Sequence, residues 1–493
     1  MQSKKCAICA FFFIGLGIGL KSAPDKLLVH RGLYGPFFPG VFCDFLSCFL
    51  GISYEISISD ALCMFIKNEI SIYDFVCALS EAVDLVFPAL NSHHKKVAYL
   101  ACNIALEMNL PNNEVQDIVL AAMLHDIGAF SLGERIKALA FEQFPEEMFQ
   151  HSLLGYKLLK NFEPLAQAAV LVKFHHTDYD PSRDDVPIGS YIIHLADRIP
   201  ILFDENREVL DQVPFILEKI SKNFHKFHPD VYIAFLRLAK LEYVWVEAFL
   251  PSFGTGMIRR VRFSKEIVDL DMLRSFAQVI AQIIDFRCHF TATHSSGVAA
   301  VARELAVISG FSERECRMME IAGLLHDMGK LAVPDNILAK NGSLTNEEFN
   351  IMKKHSYYTY AILSKICGLE DIAVWASHHH ERQDGNGYPF HVRGEDFSRL
   401  ARFMVVADII TALTEDRPYR SGMDKKRTME VLYTMVENGG VDKSIVELAH
   451  KNFLRINDVR IRAQQEARKE YDIFHNTNVL FFVQPRQKQI KAV

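Results

Sequence analysis

The sequence has no surplus of positive charge, no paired cysteine spacing and little alternation of period two. A formal net charge of −6 over 493 residues leaves no general basic surface for DNA or RNA, so an anionic ligand must be gripped by a local site. Of the ten cysteines, Cys6, Cys9, Cys43, Cys48 and Cys63 fall at the start and the rest are scattered. That distribution argues against a disulfide framework and favours a reducing, cytoplasmic setting. The scarcity of strand-like alternation argues against sheets.

A membrane-spanning run is also missing from the N-terminus. "MQSKKCAICAFFFIGLGIGLKSA" has a charged start and an apolar stretch of about 15 residues, short of the roughly 20 that a span needs. Residues 1–63 therefore read as a leader of unsettled status: a mis-assigned start with Met64 as the true one, a membrane-associated segment, or an export signal. Membrane contact is expected only if that leader is genuine.

From Met64 onward the text is helical. "VQDIVLAAMLHDIG", "MMEIAGLLHDMG" and "VYIAFLRLAKLEYVWVEAFL" carry apolar residues at i, i+3, i+4 and i+7, with breaks at "DPSRDDVP" and "NGSLTNEEF". The composition, 50% apolar and 23% charged, is ordinary for globular domains, and the length calls for two or three of them. The expectation is an all-α protein.

A repeat organises the helices. His93, His125-Asp126, His151, His175-His176 and Asp197 recur as His294, His326-Asp327, His355, His379-His380 and Asp408. The first His precedes the His-Asp pair by 32 residues in both copies, and the third His precedes the His-His pair by 24 in both. The other gaps, 26 against 29 and 21 against 28, fit loops of unequal length. The two sets use ten of the 20 histidines. Carboxylates on apolar helices such as "HLADRI" and "VVADII" are costly unless they are paired or hold an ion. Imidazole and carboxylate donors together suit iron, manganese, zinc or nickel.

These residues carry a family resemblance. "THSSGVA", "LLHDMGKLAVPDNILAKNGSLTNEEF", "KKHSYYTYAIL", "HHERQDGNGYP", "VADIITAL" and "DRPYR" follow one another as in HD-GYP domains, the bacterial phosphodiesterase branch of the HD superfamily. The first copy, with "HHKKVA", "LHDIG", "QHSLLGYKLL" and "FHHTDYD", resembles a plainer HD domain. The resemblance implies two HD-superfamily helical domains in tandem, at 64–203 and 276–455, joined by a helical linker at 204–275 and followed by a tail at 456–493. The linker is expected to pack the halves together.

The activity implied is metal-dependent hydrolysis of a cyclic dinucleotide, cyclic di-GMP first and cyclic GMP-AMP as the alternative, to linear dinucleotide or mononucleotide. His294, His326, His355, His379, His380 and Asp408 are assigned as metal ligands, with Asp327 bridging two divalent ions, iron or manganese. Lys330 is assigned to the scissile phosphate, and Arg417 and Arg420 to the second phosphate. Glu381 and Asp384 are expected to orient imidazole N–H groups, Tyr388 to brace the glycine-rich turn, and His378 to stand outside the ligand set.

Two departures matter. Phe290 stands where members with three metals carry a glutamate, and Thr411 where an aspartate is frequent. The first copy has Ala129 in place of the lysine and "HHTDYDPSRDDVPIGS" in place of the Gly-Tyr-Pro loop. Its set, His93, His125, Asp126, His151, His175, His176 and Asp197, is read as a second candidate metal site in a regulatory or scaffolding domain. A non-catalytic cyclic dinucleotide sensor is the rival from another class, and a homodimer is left open.

Overall fold

The computed structural model describes residues 71–84, 92–129, 148–249, 261, 263, 268–287, 293–340, 342–416 and 421–479. The leader, Phe290, Arg417 and Arg420 lie outside the described residues, as does the end of the tail. Among the described residues every regular element is a helix, and none is long and apolar enough to cross a membrane.

The N-terminal half contains α1 (Ile72–Asp84), α2 (His93–Glu107), α3 (Asn112–Leu124), α4 (Met148–Leu159), α5 (Ala166–Phe174) and α6 (Ile188–Ile201). Next come α7 (Val213–Lys222), α8 (Pro229–Leu238), α9 (Glu242–Phe249) and α10 (Leu270–Arg287). The C-terminal half contains α11 (His294–Ile308), α12 (Glu313–Leu325), α13 (Asp335–Leu338), α14 (Asn346–Leu363), α15 (Glu370–Ser377) and α16 (Arg399–Thr414). It closes with α17 (Lys425–Glu437), α18 (Lys443–Lys451) and α19 (Phe453–Val479).

The sequence repeat is a packing repeat. In the first half α2 packs on α3 and α6, α3 on α5, and α4 on α5; in the second, α11 packs on α12 and α16, α12 on α15, and α14 on α15. The central helix of the first half is enclosed: Val97 to Ala105 of α2 are buried without a break, as expected of a helix packed among others. Local signals fix where the ligand-bearing helices begin. Ser312 with Glu315 and Thr345 with Glu348 form capping boxes at the starts of α12 and α14, satisfying backbone N–H groups that the first turn leaves open.

The halves meet through α1 and α10. The first helix packs on α2 and α3 and also on α14 and the 3-10 turn Met328–Ala332, while α10 touches α11, α12, the same turn and α4. Phe276 of α10 lies 4.8 Å from Phe75 and 5.5 Å from Phe162, ring centre to ring centre. Glu81 pairs with Lys95 of its own half and Lys365 of the other. This differs from the expectation for the linker, because α8 and α9 lie against α2 instead. The physical reason is that α1 buries ten of its thirteen residues, so it needs apolar neighbours on both sides.

One close approach sets the site's geometry in both copies. A Cβ on Gly329 would lie 1.9 Å from the carbonyl oxygen of His355, and one on Gly128 would lie 2.1 Å from that of His151. Only glycine lets the turn after the His-Asp pair rest against the helix that carries the third histidine. Gly329→Ala must separate the turn from α14. A loss of about 1–3 kcal/mol is expected in thermal denaturation, and an unchanged Tm would contradict this packing.

Candidate metal centres

The C-terminal cluster is assembled from five helix ends and faces. His294 opens α11, His326 and Asp327 follow α12, His355 lies within α14, His379 and His380 follow α15, and Asp408 lies within α16. Asp327, 3% exposed, stands between two groups of rings. Its Oδ2 lies 3.1 Å from His326 Nε2 and 2.6 Å from Lys330 Nζ. Its Oδ1 lies 3.5 Å from His355 Nε2 and 3.8 Å from His379 Nε2. On the first side His294 Nε2 reaches Asp408 Oδ1 at 3.1 Å. On the second, His380 places its ring centre 4.1 Å from that of His379 and 5.1 Å from that of His355. All the assigned ligands among the described residues are brought together.

Backbone geometry fixes which nitrogen each ring presents. His326, His355 and His379 each donate Nδ1–H to a carbonyl three residues earlier, Gly323 at 2.8 Å, Met352 at 2.6 Å and Ala376 at 2.7 Å. Their Nε2 lone pairs therefore converge on the centre. His355 Nε2 and His379 Nε2 lie 3.1 Å apart, with the Ser356 hydroxyl 3.2 Å from His355 Nε2, and two lone pairs facing each other in a buried space favour a cation between them. Burial, reinforced by the neighbouring rings, pushes His355 down to about 3 and His380 to about 4, and holds His379 well below its ordinary value. Neutral rings are what coordination requires. Burial alone would raise Asp327, but His326 and Lys330 outweigh it and hold the carboxyl well below the usual range. The donor set fits metal ions: His294, His326 and Asp327 form one candidate group and His355, His379 and His380 another.

The surroundings correct two expectations and add two residues. Glu381, 1% exposed, accepts the backbone N–H groups of Phe390 and His391 at 2.6 and 3.1 Å. Asp384 takes Arg382 at 2.9 Å and the N–H of Asn386 at 2.9 Å. Backbone carbonyls already hold the Nδ1–H groups of His326, His355 and His379, and both carboxylates shape the Gly-Tyr-Pro loop instead. Tyr388 is the expected brace, its ring centre 4.9 Å from His380 and 5.9 Å from Phe349. Thr411 spends its hydroxyl on Ala407 O at 2.8 Å and does not substitute for an acidic anchor.

Glu415 was missed. It accepts from His294 Nδ1 at 3.1 Å and from Gln464 of α19 at 3.2 Å. Its spacing of seven from Asp408 put it on the same helical face. Asp285 was missed too: a lone acid in an apolar run, it accepts from Ser295 Oγ at 3.0 Å, and burial pushes it up to about 7.

The N-terminal cluster repeats much of this. Asp126 Oδ2 lies 3.4 Å from His125 Nε2, and Asp126 Oδ1 lies 3.1 Å from His151 Nε2 and 3.8 Å from His175 Nε2. Asp197 Oδ1 lies 3.0 Å from His93 Nε2 and 3.4 Å from His125 Nε2. Two additions set it apart. His94 pairs with Asp84 of α1, and the buried Arg198 contacts Asp197 Oδ2 at 2.7 Å. Beside His176 opens a cavity of about 520 Å³ whose lining includes Lys173, Asp178, Asp180 and Arg183. Arg183 is forked onto Asp185 at 2.8 and 2.7 Å, so its charge is already committed. Elsewhere Cys77 and Cys316 are outside any disulfide and Cys367 is disulfide-bonded, a bond the scattered cysteine spacing did not suggest.

The sequence matches the HD domain family twice, at residues 91–200 and again, as a distinct HD domain class, at 278–445. The 3'3'-cGAMP-specific phosphodiesterase 1 of Vibrio cholerae is 28% identical over 396 residues, covering 77% of this chain and 90% of that protein. The cyclic di-GMP phosphodiesterase response regulator RpfG of Xanthomonas campestris is 39% identical over 156 residues, which is 31% of this chain and 41% of that protein. Among solved structures, a cyclic GMP-AMP phosphodiesterase of Vibrio cholerae, V-cGAP3, superposes with a TM-score of 0.55 at 18% identity, over 77% of this chain and 97% of that one. That likeness concerns the fold.

The three adjacent histidines now separate. His378, 7% exposed, packs between Phe390 and Phe397 with ring centres 5.2 and 6.3 Å away, and its Nδ1 has no hydrogen-bond partner. His378→Phe should keep the metal content of the wild type, whereas His379→Ala should lower it. Elemental analysis of the purified proteins checks this, and equal losses in both would contradict the separation.

Proposed function

Given that the chain belongs to the HD superfamily, as a tandem protein with an HD domain followed by an HD-GYP domain, we propose that its C-terminal half hydrolyses cyclic dinucleotides with two divalent ions. The observation that carries this is the position of Asp327, which divides its two oxygens between two sets of histidines while Lys330 stands at 2.6 Å. Divalent ions bound there supply Lewis acidity and an activated water at neutral pH.

The protein's own residues supply grip and orientation. His294, His326 and Asp408 serve the first ion, His355, His379 and His380 the second, and Asp327 joins them. Lys330 is a compact positive charge within reach of a phosphate placed over Asp327. Arg417 and Arg420, outside the described residues, are assigned to the second phosphate of the ring. The loop from Glu381 to His391, held by the Glu381 carboxylate, forms a wall beside His380.

Cyclic di-GMP is the first substrate reading, supported by RpfG and other relatives named for it. Cyclic GMP-AMP is the second, favoured by the relative that aligns across both halves. Iron or manganese is the proposed metal, and the cytoplasm, where such messengers are made and read, the proposed location. The N-terminal half has Ala129 where the C-terminal half has the Lys330 ammonium. It is assigned a regulatory or scaffolding role.

The test is turnover of each dinucleotide by anaerobically prepared full-length protein, with product analysis. Asp327→Ala should reduce hydrolysis by orders of magnitude, Lys330→Ala should slow it by about 100–1,000-fold with metals retained, and Asp126→Ala should leave the chemistry in place. Hydrolysis that survives Asp327→Ala but not Asp126→Ala would overturn the assignment.

A further inference from the structure

The repeat reaches beyond the assigned ligands. In both halves a buried carboxylate ten residues upstream meets the second residue of the helix that the first histidine opens: Asp84 of α1 meets His94 on α2, and Asp285 of α10 meets Ser295 on α11. What stands at that second position differs. Ser295 spends its hydroxyl and its backbone N–H on Asp285, at 3.0 and 3.3 Å. His94 gives Asp84 only Nδ1 and has a second ring nitrogen to offer. Its ring is 2% exposed, with its centre 5.0 Å from that of His125 and 5.6 Å from that of His93.

His94, His125 and Asp126 bring one donor atom each within 4.8 Å of one another, as do His93, His125 and Asp197. His125 belongs to both groups. Its Nδ1 lies 2.8 Å from Ala122 O, so Nε2 alone faces the cluster, and one nitrogen binds one ion. The two groups therefore describe a single position. At that position His125 Nε2 is buried with no hydrogen-bond partner, and Asp126 Oδ2 and Asp197 Oδ1 each stand 3.4 Å from it.

We propose that His94 is a metal ligand of the N-terminal half, set in place by Asp84. This rests on reading the cluster as a metal site. Asp84 stands behind the ring as carboxylates stand behind coordinating histidines, fixing its orientation. A divalent ion on His93, His94, His125, Asp126 and Asp197 has one protein donor more than its counterpart on His294, His326, Asp327 and Asp408, where Ser295 takes the place of His94. Closed sites hold an ion as part of the fold, whereas catalytic ones keep a position for water. His94 thus makes this ion a fixture of the N-terminal half. The group of Asp126, His151, His175 and His176 stays available to another ion.

The test is chelator competition on the manganese-loaded full-length chain, with bound imidazole nitrogens read by electron–nuclear double resonance and folding by circular dichroism. Asp84→Asn should weaken retention of one ion by about 10–100-fold and keep the nitrogen count. His94→Gln should weaken it further and remove one imidazole nitrogen. Neither change should alter retention in an Asp126→Ala background, which lacks the carboxylate common to the cluster. Wild-type retention of every ion in Asp126→Ala would overturn the metal site itself. A folded His94→Gln protein with wild-type retention, or with the full nitrogen count, would overturn the assignment of His94 alone. Should His94→Gln fail to fold, Asp84→Asn decides: weaker retention that disappears in the Asp126→Ala background supports the proposal, and retention that is unchanged, or weakened equally in that background, overturns it.

Discussion

A carboxylate buried among imidazoles is the constraint on which the C-terminal half depends. Asp327 is removed from water, and its charge is tolerable only because His326, Lys330 and the rings of His355 and His379 surround it. Coulomb energy at such distances is several-fold larger inside a protein than in water, so the arrangement is costly when empty of positive charge and strongly favoured when cations are held. The fold serves that requirement. Gly329 lets the His-Asp turn rest on α14, backbone carbonyls orient three rings, and Glu415 with Gln464 supports His294 from behind.

Duplication makes the N-terminal half an internal control. Its helices pack in the same order and its ligands stand at equivalent positions, so what differs between the copies is what divergence changed. The changes are few and each has a physical consequence. Ala129 stands where the other half has the Lys330 ammonium, the loop after His176 replaces a glycine-shaped wall with paired acids and bases, and Arg198 brings a permanent cation into the cluster. The two copies share a core, because α1 and α10 contribute to both halves.

The fold class and the ligand order were legible in the sequence because both are periodic: apolar spacing fixes the helices, and matched gaps of 32 and 24 residues identify the copies. Roles that depend on backbone partners were not legible. Glu381 and Asp384 look like imidazole partners in the text, yet the Nδ1–H groups of His326, His355 and His379 are satisfied by carbonyls within the same helical turn. The joining of the halves by α1 could not be read either, since an apolar helix does not announce how many faces it buries. Asp285 and Glu415 were readable in principle as lone acids on apolar faces. Arg198 was visible in "HLADRI", but its contact with the His176 ring, 2.9 Å away, was not.

The central claim is that one carboxylate, Asp327, joins two cations in the C-terminal half. Electron paramagnetic resonance of the manganese-loaded protein reads this directly, because ions bridged by a shared carboxylate are magnetically coupled and isolated ions are not. The account predicts a coupled pair in the wild type that disappears in Asp327→Asn while the protein remains folded. A spectrum of isolated ions only, or a coupled pair that persists in Asp327→Asn, would contradict it.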